Sequence, residues 1–151
     1  MVTSGSMPAI VPEPMLRRVL LLSAATLVFA DTRDELIRVF AAMASALSED
    51  NPAVFLRAID PSMPGYPRFA ESVKALAAQN ALSSSIEIVS AEGDGRVQIL
   101  ELDWLLEITG KDQSHLFVRR QAIVKCRLER RSGKWRILSL EPAGFFAPPG
   151  V

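Results

Sequence analysis

Arg120 is the residue whose surroundings ask most of it. At alternate positions Leu116, Val118, Arg120, Ala122, Val124, Cys126 and Leu128 form one row, apolar except for the guanidinium. A guanidinium is not left dry and unpaired, so Arg120 must reach water, a carboxylate or a bound anion. It could grip a ligand carboxylate or phosphate through two parallel hydrogen bonds. The plainer account is that its stem covers the core while its head reaches the rim, or pairs with an acid such as Asp60. Glu101, Asp103 and Glu107 form a second group of interest. Carboxylates enclosed in an apolar chamber have raised pKa values suited to proton transfer. Leu100, Leu102, Trp104, Leu106 and Ile108 alternate with these acids, and an all-apolar row is the one that meets the core. The acids then lie on the outer face, unless a β-bulge reverses the alternation beyond it.

His115 is the sole histidine and a candidate general base by its ordinary pKa. Its place beside the Gly110–Gln113 turn favours an exposed ring. Tyr66 is the sole tyrosine, in a proline-rich loop, where a phenol could close a pocket mouth or simply pack on the following helix. Trp104 lines whatever cavity exists, although an aromatic on a core face usually serves packing. Catalytic candidates are thus reduced to Asp103 and His115, and ligand-binding candidates to Arg120, Trp104 and Tyr66. Cys126 stands alone, so no intrachain disulfide forms, and its apolar row makes it an inert buried thiol. One cysteine and one histidine do not supply the usual zinc ligands, and no glycine-rich phosphate loop or Ser-His-Asp order is present. No metal and no cofactor is expected.

These residues are positioned by helices first and strands afterwards. Thr32 and Glu35 have capping-box spacing, and Leu36, Val39, Phe40, Met43, Ala46 and Leu47 then recur at helical intervals. Ser48-Glu49-Asp50 closes this helix. Asn51 followed by Pro52 opens a short second helix carrying Phe55 and Ile59. Residues Asp60–Pro67 contain three prolines and a glycine, and read as a structured loop. A third helix presents Phe69, Val73, Leu76 and Ala77 on one face. The period then changes to two, giving strands Ile86–Val89, Val97–Thr109, Leu116–Glu129 and Trp135–Leu140. The connecting turns are short, so neighbours form antiparallel hairpins. Three helices followed by a four-stranded antiparallel meander is an α+β arrangement.

The chain has 151 residues, 49% hydrophobic and 23% charged, enough for one domain with one core. Seventeen basic residues balance seventeen acidic ones. That balance offers no long-range field for nucleic acid. Residues Leu16–Ala30 (LRRVLLLSAATLVFA) combine Arg17 and Arg18 with an uncharged apolar run and a Val28-Phe29-Ala30 ending, the pattern of a cleavable signal peptide. The run is too short to span a bilayer, which takes about 20 apolar residues, so no transmembrane anchor is expected. This divides the chain into residues 1–30 (an unstructured start plus signal peptide), a domain at 31–147 and a tail at 148–151. It places the mature protein in the periplasm or outside the cell after cleavage near Ala30.

Three N-terminal helices before long curved strands resemble the NTF2-like (SnoaL-like) cone fold. The closing Ser132–Leu140 segment, SGKWRILSL, is similar to the last hairpin of many such domains. The resemblance implies a conical apolar pocket between sheet and helices, and frequently dimers through the outer sheet face. It does not imply one activity. Ketosteroid-isomerase-like members carry a tyrosine on the first helix, and the helix Leu36–Leu47 has none. The resulting expectation is a non-catalytic exported domain that binds a small apolar or amphiphilic ligand, or a protein, through its cone. A proton-transfer enzyme of the cyclase, isomerase or dehydratase kind is one alternative, and a structural module of an exported complex is another. The outer face mixes Glu101, Asp103 and Glu107 with Arg119, Lys125, Arg127, Arg130 and Arg131, around Ile99, Leu105, Phe117 and Ile123. That is the make-up of a polar-rimmed homodimer surface. The segment FFAPP at Phe145–Pro149 is apolar enough to plug the pocket or to dock on a partner.

Overall fold

Alternation and helical periodicity together generate one sheet backed by three helices. The computed structural model describes residues 13–150, with side chains from residue 31 onward. Residues 1–12, where an unstructured start is expected, lie outside the described residues. Helix α1 spans Glu13–Ser48, α2 Pro52–Arg57 and α3 Tyr66–Gln79. Strands β1 (Asn80–Gly93), β2 (Val97–Gly110), β3 (Phe117–Arg131) and β4 (Lys134–Glu141) form an antiparallel sheet in the order β1-β2-β3-β4. A 3₁₀ turn, Ala143–Phe146, follows the last strand. The α+β arrangement is as the sequence indicates.

Helix α1 corrects one expectation. It runs without a break from Glu13, so Thr32 lies in the helix interior rather than at a cap. Thr32 is buried, and the Glu35 carboxylate accepts hydrogen bonds from Arg130 and Trp135 on the sheet instead of from the helix start. Propensity explains why the junction stays helical, since Ala, Leu and Arg on both sides of it are strong helix formers. Asn51 does cap α2, its side chain accepting from the Val54 amide at 3.4 Å. Tyr66 is the first residue of α3 rather than part of the loop, and Gly65 before it takes φ +74°. A side chain there would be strained.

The first strand is longer than expected. Asn80–Ser85 pairs with Leu105–Gly110 in continuous register, although serine is a poor strand former. A bulge between Ile88 and Ser90 leaves Val89 exposed, and a second shift lies where β3 at Arg127–Leu128 meets β4. Strand β2 pairs with β3 without interruption from Val97 to Thr109. The alternation of β2 therefore holds throughout. Leu100, Leu102, Trp104, Leu106 and Ile108 are all fully buried against the helices. Gly93 is required by space: a Cβ there would sit 2.0 Å from the Val97 carbonyl oxygen. Ser132 and Gly133 both adopt left-handed backbone, as a two-residue hairpin between β3 and β4 demands. The open edge of β4 is covered by the segment after α2, through Asp60 N–H to Ile137 O at 2.8 Å and Ile137 N–H to Ala58 O at 2.9 Å. Covering an edge in this way blocks pairing with a foreign strand.

Candidate functional site

The space between sheet and helices is filled by the chain's own aromatic side chains. Trp104 on β2, Phe55 on α2 and Phe69 on α3 point into it. Phe145 and Phe146 enter from the 3₁₀ turn. Phe146 lies with its ring 4.9 Å from Trp104, 5.5 Å from Phe69 and 5.8 Å from Phe55, mostly edge to face. Such pairs add about 0.5–1.5 kcal/mol each beyond the area they bury. The Trp104 indole N–H donates to Ser84 Oγ at 2.9 Å, so no buried donor is left over. Among the described residues every buried side-chain nitrogen and oxygen has a hydrogen-bond partner.

Arg120, on β3 beside Trp104, reaches the same plug. Its Nη1 donates to the carbonyl oxygens of Phe145, at 2.8 Å, and Ala147. The residue is half-buried, and burial lowers its pKa from the ordinary arginine value; an arginine stays charged regardless. Pairing with Asp60 does not occur. Asp60 instead accepts from Arg131 at 3.0 Å and from the Ser62 amide at 2.8 Å. Hydrogen bonds from Ser62, with Arg131 adding to them, hold its carboxyl below the usual aspartate value.

The structure thus brings Trp104 and Arg120 together around Phe145 and leaves the other candidates elsewhere. Asp103 lies on the outer face, where it accepts from Gln121 Nε2 at 3.0 Å. His115 is exposed in the β2–β3 turn with φ +47°. Tyr66 faces a separate hollow of about 330 Å³, lined also by Ala53, Arg57, Lys74 and Arg136. Burial pushes the Cys126 thiol far up, so it carries no reactive thiolate. No cluster of three or more metal-ligating side chains exists among the described residues, and none of their helices is long and apolar enough to cross a membrane.

Two features lie outside the sequence expectations. Arg130, expected among the outer charges, shares the alternation of Arg120 and Leu128 and faces inward. It donates to Glu35 Oε2 at 2.8 Å and to Gly95 O at 2.8 Å, and lies over the Trp135 ring at 4.6 Å. Trp135 donates to the same Glu35 oxygen at 3.0 Å. The Arg130 hydrogen bond holds the Glu35 carboxyl below its ordinary value, against some desolvation. The second feature is a hollow of about 480 Å³ beside this latch, between α1, α2 and the start of β4.

No family model and no curated protein matches the sequence. Solved structures do match in three dimensions. A conserved protein from Planctomyces limnophilus superposes with a TM-score of 0.65 at 11% identity, covering 74% of this chain and 94% of that one. An NTF2-like superfamily protein from Salmonella enterica gives 0.61 at 12% identity, covering 74% and 89%. The chain has the NTF2-like fold. A candidate scytalone dehydratase from Novosphingobium aromaticivorans gives 0.65 at 8% identity, covering 76% and 85%. Identities this low carry the NTF2-like architecture across and leave the chemistry to the side chains present here.

The outer face of this NTF2-like sheet has a distinct pattern. Glu101 stands opposite Lys125 and Glu107 opposite Arg119, yet none of these four makes an ion pair among the described residues. Ile99, Phe117 and Ile123 are about half exposed among them. Acids thus line β2, while β3 beside it carries Arg119, Lys125, Arg127 and Arg131, with Glu129 among them paired to Arg127 and Arg131.

Proposed function

We propose that the protein is a non-catalytic NTF2-like domain that works by binding protein surfaces, in the first instance a second copy of itself, across the outer sheet face. Its cone serves as packed core rather than as a ligand chamber. The observation that carries this reading is the occupation of the cone by Phe145 and Phe146 beneath Trp104. Asp103 and His115, the groups a proton-transfer enzyme would use, point away from that space. A small molecule could enter the cone only by displacing the 3₁₀ turn, and Arg120 opposes that movement.

The outer face supports self-association through its charge layout. A two-fold axis along the β2–β3 seam would set each acidic β2 row over the partner's basic β3 row, with Ile99, Ile123 and Phe117 between them. The reading places this activity outside the cytoplasm, on the strength of the Leu16–Ala30 sequence alone. Native mass spectrometry of the chain beginning at Asp31 is the test. Dimers at micromolar concentration, weakened by salt and by Ile123→Lys, are the expected result. Monomers alone would remove self-association, and a co-purified small molecule lost on Trp104→Ala would restore the ligand-chamber reading.

A further inference from the structure

We propose that the groove between α1, α2 and the start of β4 binds an amphiphile with an acidic head group, carboxylate or phosphate, on an apolar body. This site is separate from both the cone and the outer sheet face. Its floor is apolar, made by Val39, Ala42 and Met43 of α1, Val54 and Ala58 around α2, and Trp135. Four cations surround that floor: Arg38, Arg57, Lys134 and Arg136. None of the four makes an ion pair among the described residues. Glu35 is the single acid lining the groove; Arg130 at 2.8 Å and the Trp135 N–H take its hydrogen bonds and Arg38 also acts on its charge, so Arg57, Lys134 and Arg136 are the lining cations left without an acid there. Glu129, opposite Arg136 in the sheet, is engaged by Arg127 at 3.2 Å and Arg131 at 3.7 Å.

In a chain of zero net charge, this concentration of uncompensated cations is a local excess. Arg57 and Arg136 also line the adjoining hollow, together with Lys74 and Tyr66. The ridge they form is therefore basic on both flanks, with a phenol within the same hollow. An acidic head placed at Arg57 and Arg136 would gain charge-assisted, two-pronged hydrogen bonds. Its apolar body would lie on Val39, Met43 and Val54, displacing water from a surface that the head groups alone cannot cover. The groove, about 480 Å³, lies within the range of small-molecule sites. A free inorganic anion would use the rim and leave the floor wet. A neutral amphiphile would use the floor and leave Arg57, Lys134 and Arg136 without a partner.

The experiment is calorimetric titration of the full chain, below micelle concentrations, with decanoate, decyl phosphate, decyl maltoside and inorganic phosphate. Saturable binding of decanoate or decyl phosphate, at least about tenfold tighter than of the other two, is expected; the stronger of the two acids identifies the head group. Equal binding of decyl maltoside, or of inorganic phosphate, would overturn the proposal. Arg57→Gln combined with Arg136→Gln should weaken binding about tenfold or more. Ala42→Trp, an exposed helix position that fills the floor, should abolish it while leaving the unfolding midpoint in place. Arg68→Gln removes the same kind of charge beside the far end of β4 and should change nothing. Loss of binding in Arg68→Gln, or its survival in Ala42→Trp, would show mere charge attraction or a different site, and the proposal would fall.

Discussion

At the residue scale, the chemistry of this protein turns on what Arg120 holds. A lone arginine in an apolar row signals a demand for acceptors, and the sequence offered a ligand anion or a nearby carboxylate. The chain supplies neither. Two backbone carbonyls of the 3₁₀ turn take the guanidinium, so the residue fastens the segment that closes the cone. Arg120→Met keeps the stem and removes both donors. Its expected cost is about 1–2 kcal/mol, the net worth of hydrogen bonds from a charged donor at a partly exposed site. Urea unfolding would register that as a lower midpoint with unchanged slope, and amides of residues 143–147 would exchange faster. A midpoint equal to that of the parent protein would show that Arg120 is an ornament of the surface. The identity of its partners was not legible beforehand, because Phe145 and Ala147 lie 25 and 27 residues away and backbone carbonyls leave no mark in a sequence.

At the scale of elements, alternation was the reliable guide and junctions were not. The β2 pattern is strict because one face is wholly dry, and its register with β3 is unbroken, so the acids could be assigned outward from sequence. The polar segment Asn80–Ser85 gains its strand character from the length of β2, which alternation alone does not reveal. Thr32 and Glu35 have capping spacing, yet their neighbours favour continued helix and α1 runs through them. Freed from capping, Glu35 joins α1 to the sheet across 95 residues through Arg130. That pair is about one-third exposed on the Glu35 side, which limits its worth to about 1 kcal/mol. The folded-state pKa of Glu35 is lowered, so its stabilisation is present above the ordinary value near 4.5 and is lost as pH falls through the lowered one. Glu35→Gln should therefore be less stable than the parent at pH 7, with the two unfolding curves converging in acid. A difference that persists or grows at low pH would assign the latch to packing rather than to charge.

At the scale of the whole molecule, the NTF2-like cone and the plug that fills it raise the question of whether the chamber is latent or abolished. Phe146 is fully buried and touches Phe55, Phe69, Trp104 and Phe145 at once, so it occupies the volume in which a cone-binding ligand would sit. Phe146→Ala should cost about 3–5 kcal/mol, combining lost transfer energy with a cavity that rigid walls do not close. Against a typical net stability of about 5–15 kcal/mol, that loss leaves a folded but weakened protein. The cavity would be lined by aromatic carbon, and the donors beside it are already satisfied, the Trp104 indole by Ser84 and Arg120 by the Phe145 and Ala147 carbonyls. Cavities of that kind stay dry and accept small apolar guests. Indole or benzene added to the Phe146→Ala protein should then raise its melting temperature by a few degrees, as binding to the native state alone requires. The parent protein, whose cone is full, should not respond. If the variant is no more sensitive to such guests than the parent, the walls have collapsed onto the vacancy, and the cone of this chain is a core without a chamber in reserve.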